Sequence, residues 1–169
     1  MDIVPITASG PVITFHTAAA VLALALGPWA LGARRRGRVH RLAGRFWVGA
    51  MALTAITAFG IFEMRVIGPA SPIHLLAVLV LWMLWRSIAA ARAGRIVEHG
   101  RIMAQLYVGA LLVPGAFTFL PGRRMNAVLF GGQDWAGFAL VSVVFASLAV
   151  IVLAAQPARQ AADKRTQAV

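Results

Sequence analysis

The chain has 169 residues, 60% of them apolar and 12% charged, with a mean hydropathy of +0.81 and no cysteine. A soluble domain carries about half apolar and a quarter charged residues and at this size could not bury so much apolar surface, so the composition fits a bilayer. Sixteen Lys and Arg against five Asp and Glu give +11. In a membrane chain that excess reports loop placement and contact with anionic lipid rather than nucleic acid, while the lack of cysteine excludes disulfides, thiolate zinc, iron–sulfur clusters and a cysteine nucleophile.

Asp2 is the only charge before the first apolar run, Pro11–Ala33. That run is too long for a cleavable signal peptide and lacks its positive n-region, so it is read as a retained helix. Four further runs follow at Leu42–Phe62, Pro72–Ala91, Ile102–Leu120 and Trp135–Ala155, each near the roughly 20 residues that cross about 30 Å of hydrocarbon. The expected fold class is all-α, an integral membrane protein with five transmembrane helices. A short external N-terminus (1–10) precedes two helix hairpins (11–62 and 63–120), an external loop with a fifth helix (121–155), and a solvated tail (156–169).

The loops set the expected orientation. Arg34, Arg35, Arg36, Arg38, Arg41 and Arg45 lie around the first loop, Arg92, Arg95 and Arg101 around the third, and Arg159, Lys164 and Arg165 in the tail. The opposite side holds only Arg65, Arg123 and Arg124. The positive-inside rule then places the N-terminus outside and the C-terminus in the cytoplasm. Arg86, inside the third run, is expected to snorkel to the interface, and the tryptophans with Tyr107 read as interfacial belt and packing residues.

The two hairpins repeat each other. Pro11-Val-Ile-Thr-Phe-His16, Gly37-Arg38-Val39-His40 and Val48-Gly49-Ala50 recur as Pro69-Ala-Ser-Pro-Ile-His74, Gly94-Arg95-Ile-Val-Glu-His99 and Val108-Gly109-Ala110, at offsets of 57 to 60 residues. All four histidines fall on this repeat, so a duplicated hairpin with two-fold pseudosymmetry is expected. His16 and His74 then lie near the outer ends of two helices, and His40 and His99 near the cytoplasmic starts of two others.

Paired imidazoles at matching depth suit bis-histidine ligation of haem b, one per pair. Ala18, Ala19, Ala20 and Ala23 would leave room for a flat ring near His16, as would Ala43 and Gly44 near His40, and Arg41, Arg45 and Arg101 could hold propionates. Plainer roles also fit: His16 and His74 as hydrogen-bonding groups between helices, His40 and His99 as solvated interface residues. Met103, four residues after His99, keeps a copper-handling alternative open. No paired carboxylates, nucleotide loop or Ser/His/Asp arrangement is readable, Ser87 being without a nearby acid.

The segments Phe15-His16, Gly37-Arg38-Val39-His40-Arg41-Leu42-Ala43-Gly44-Arg45-Phe46-Trp47 and His99-Gly-Arg101-Ile-Met103 resemble a family of bacterial predicted membrane proteins, domain of unknown function 2306, over residues 11 to 120. That family implies a membrane fold and no established activity. Four histidines in two hairpins also resemble, more loosely, the di-haem membrane cytochromes b of the 561-nm type. That likeness implies transmembrane electron transfer from ascorbate or quinol, although their ligands lie well within the helices and His40 and His99 lie at helix ends. The expected reading is a b-type cytochrome-like electron carrier. A cofactor-free accessory subunit of a larger respiratory complex is the alternative, and the partner classes are lipid, quinone, such a complex or a second copy of the chain, with no nucleic acid.

Overall fold

The computed structural model describes residues 3–32, 37–61 and 72–167, with side chains except at Pro5 and 157–167. Arg34, Arg35, Arg36, Glu63, Arg65, Pro69 and Ser71 lie outside the described residues, as do the side chains of Arg159, Lys164 and Arg165. The described elements are all helical: α1 (Val4–Thr7), α2 (Pro11–Gly32), α3 (Arg38–Ala58), α4 (Pro72–Arg92), α5 (Ile96–Gln105), a π segment (Leu106–Leu112), α6 (Val113–Phe117), α7 (Arg124–Phe130) and α8 (Trp135–Gln167). Because α5, the π segment and α6 are continuous, they form one rod, Ile96–Phe117.

Among the described residues four helices are long and apolar enough to cross a membrane: Pro11–Gly32, Pro72–Arg92, Ile96–Phe117 and Trp135–Gln156. The second expected span differs. Its helix, α3, begins at Arg38 rather than Leu42 and ends at Ala58, so Arg38, Arg41 and Arg45 occupy its first turns and lower its mean hydropathy. The helix itself is 21 residues long and packed into the bundle.

Proline opens both α2 and α4, where its missing N–H costs nothing and its fixed φ favours the helix. The buried positions of α2 are Ala19, Ala23, Gly27 and Ala30, a stripe of small residues that lets α3 approach closely, as small residues do between helices in lipid. From α3 come Trp47, Ala50, Met51, Ala55 and Ala58, and α4 adds Ala77, Val80 and Leu84.

The π segment precedes Pro114, which cannot donate to an earlier carbonyl and whose ring would collide with the preceding turn of a regular α-helix. Widening that turn relieves the collision. It also seats Tyr107, fully buried, against Gly27 with its hydroxyl donating to Leu24 O at 3.2 Å. Tyr107 and Trp47, 2% exposed, are therefore the packing members of the expected aromatic set and belong to the core.

Phe145, Leu148, Ala149 and Val152 of α8 pack on this core, while Leu140, Val143, Val150 and Ile151 remain exposed, as suits a helix facing lipid. The connection into α8 is held by Asn126, which is fully buried. Its Nδ2 donates to Phe119 O and Asp134 O, both at 2.8 Å, and its Oδ1 accepts from Asp134 N at 3.2 Å. Asn126→Leu would keep the volume but take the bonding partner from Phe119 O and Asp134 N, while Asp134 O keeps its bond from Phe138 N. A destabilisation on the order of 3 kcal/mol is expected, read as a lower thermal midpoint in detergent and faster proteolysis between 118 and 134. An unchanged midpoint would show that the connection is held by packing alone.

Candidate functional site

The bundle has two ends. At one, α1, the starts of α2 and α4, the close of α3 and the connection 118–123 come together; Arg38, Arg92, Arg95 and Arg101 mark the other.

At the α1 end a cavity of about 480 Å³ lies between α2, α3, α4 and the rod, within the range of roughly 300–1,000 Å³ usual for small-molecule pockets. Its wall is mostly apolar, including Ala20, Leu24, Met51, Val80, Leu111 and Phe145, with His16, Thr17, Thr54 and Thr118 as polar members and Arg123 and Arg124 beside Ile6 and Met125. Ala19 and Ala23, expected to make room for a ring, are instead buried in helix packing.

Three histidines share one arrangement. His16 Nδ1 lies 3.0 Å from Thr54 O and 3.1 Å from Thr57 Oγ1. His40 Nδ1 lies 3.0 Å from Ala30 O, and His99 Nδ1 lies 3.0 Å from Ser87 O and 2.9 Å from Ser87 Oγ. A carbonyl oxygen only accepts, so in each case Nδ1 carries the proton and, in the neutral ring, Nε2 holds the lone pair. Histidines that ligate metals are held in just this way, by a carbonyl or carboxylate on the other ring nitrogen. The His40 and His99 bonds also follow the repeat, with acceptors 57 and histidines 59 residues apart.

His74 is placed differently. Its ring stacks on Phe59, centroids 6.0 Å apart and planes 11° apart, and it is not among the cavity-lining residues. Thr57 and Phe59 leave α3 about 160° apart around the helix, so His16 and His74 meet the end of α3 on different faces rather than facing each other across the cavity. Each histidine lies against a neighbouring helix, and among the described residues no three His, Cys, Asp or Glu side chains gather into a metal-holding group. Met103, although on the His99 face, is buried in the core.

Arg41, Arg45 and Arg101 are exposed around the opposite end. Arg86, expected to snorkel to the interface, pairs there with Glu98 at 2.9 Å and stands 5.3 Å from the Trp82 ring centroid. Glu98 also takes Arg95 at 2.8 Å, so the α4–α5 turn is clamped by one carboxylate between two guanidinium groups beside the His99–Ser87 bond. Sequence reasoning set Ser87 aside as lacking an acid partner. It holds His99 through both its hydroxyl and its carbonyl; the carbonyl falls one repeat after that of Ala30, but nothing in the sequence marked the hydroxyl, which Ala30 lacks. Nor did any sequence signal place Arg123 and Arg124 at the cavity, since only the fold of 118–134 brings them there.

No curated protein and no solved structure matches the chain. A family model does, over residues 13–156, from α2 through the membrane-length part of α8, and the chain belongs to the family it describes, the predicted membrane proteins DUF2306.

Proposed function

We propose that this membrane protein is a b-type cytochrome, with haem b in the cavity at the α1 end and His16 on the iron. The observation that carries the reading is the His16 ring: Nδ1–H is committed to Thr54 O and Thr57 Oγ1, which fixes the ring plane and leaves Nε2 to ligate at the wall of an apolar cavity. The mostly apolar wall lowers the polarity around the ligand, and the threonine pair holds the ring's orientation. Bound haem would supply one-electron chemistry. A second imidazole from His74 requires that ring to leave Phe59, and a second haem at His40 and His99, with Arg41, Arg45 and Arg101 on its propionates, rests on the same Nδ1–carbonyl arrangement.

Protein purified from haem-replete cells tests this. A sharp reduced-minus-oxidised α-band is expected if two imidazoles bind, and a high-spin haem spectrum if His16 binds alone; a colourless protein overturns the reading.

The same reading has five helices crossing the inner membrane, N-terminus outside. Reporter fusions after Arg36 or Arg95 are expected to behave as cytoplasmic and those after Gly68 or Arg124 as external, because the arginine-rich connections resist translocation. The reverse pattern would refute that topology.

A further inference from the structure

The cavity at the α1 end is chemically lopsided. The described residues lining it include no Asp or Glu, its wall is mostly apolar apart from His16 and three threonines, and its two arginines, Arg123 and Arg124, sit where α7 begins, against α1. From Ile13 to Leu24 its α2 wall rises roughly 16 Å along the helix.

The arginines are not loosely tethered. Arg123 immediately precedes α7 and Arg124 is its first residue. Gly122 N, just before them, donates to Gly132 O at 2.6 Å and so ties the two flanks of α7 together, with Gly122 at φ +82°, a conformation that suits glycine. Two residues on, Asn126 is buried and ties α7 to Phe119 and Asp134. Asp134 uses its own carboxylate to accept from Ala136 N at 2.8 Å. Each guanidinium has five N–H donors and can serve an incoming acid while keeping other bonds.

We infer that the cavity seats an amphiphile with a carboxylate head at Arg123 and Arg124 and an apolar body running toward Leu24 and Val80. This shares its cavity with the haem reading but not the ligation by His16. Haem propionates and a long-chain fatty acid offer the same chemistry, an acid at one end of an apolar body, and the arms below separate them.

Protein made under haem depletion and purified in detergent is titrated with cis-parinaric acid and with its methyl ester. Wild type is expected to bind the acid about tenfold or more tighter than the ester, the scale of one hydrogen bond to a charged group. Arg123→Gln/Arg124→Gln is expected to bind both alike, and Arg123→Lys/Arg124→Lys to keep most of the preference. Ala20→Phe, which narrows the cavity without touching charge, should weaken acid and ester together. Equal binding by wild type, or a preference that survives in the Gln pair, overturns the inference. Haem absorbance is read separately on haem-replete protein. A colourless wild type that prefers the acid refutes the haem reading alone, and a coloured one without that preference refutes this inference alone.

Discussion

In a His16→Ala variant the haem signal of the cavity is expected to vanish while the protein still inserts and keeps its helical content. Imidazole is the only ligating nitrogen that the cavity wall provides from α2, and with the proposed haem bound its removal would take away the iron contact without touching the apolar residues that carry α2 into the bilayer. The lost Nδ1–H bond costs little in the fold, since the Thr57 hydroxyl has other partners in Leu53 O at 2.7 Å and Thr54 O at 3.1 Å. Imidazole added to the variant should restore part of the spectrum by occupying the space the ring left, which a purely structural role for His16 would not allow. Wild-type haem content in His16→Ala would remove His16 from the iron. Thr57→Val, which keeps the volume and removes the hydroxyl beside Nδ1, should retain haem with a shifted potential.

Gly27→Ala is expected to destabilise the protein by about 3 kcal/mol, at the upper end of what overpacking a core usually costs. A methyl group there would run into Cε2 and Cδ2 of Tyr107, with Cζ 3.0 Å away. The ring cannot yield cheaply, because it is fully buried and its hydroxyl is bonded to Leu24 O, one turn earlier on the same helix. In a Tyr107→Leu background the same substitution should cost less than about 1 kcal/mol, since the atoms it strikes are gone. Equal cost in both backgrounds, measured by thermal unfolding in detergent, would show that this α2–rod contact does not limit packing.

The resemblance read from the motifs stopped near residue 120, whereas the family match runs to 156, so α8 is part of the family's common architecture. Its near-uniform run of apolar residues has no polar landmark by which to recognise it. The opposite holds for α3, whose arginines made its start hard to place: charge marked a loop, but the helix had already begun at Arg38, with the long basic side chains standing exposed from its first turns.

Membrane character, an all-helical fold with apolar helices near four of the five expected spans, and the recurrence of His40 at His99 followed from composition and spacing. Each depends on the chain alone, through the length needed to cross hydrocarbon, the cost of burying charge, or a repeat register. Ring direction did not. α2 is apolar on every side, so no hydrophobic stripe declares which of its faces packs inward, and a few tens of degrees of helix rotation decide whether His16 meets α3 or α4. Packing settled that choice: the stripe Ala19, Ala23, Gly27 and Ala30 drew α2 against α3 and the rod, which turned His16 onto Thr54. Arg123 and Arg124 came to the cavity for a similarly non-local reason, because Asn126 bonds backbone groups seven and eight residues away on either side of it and folds the connection back over the bundle.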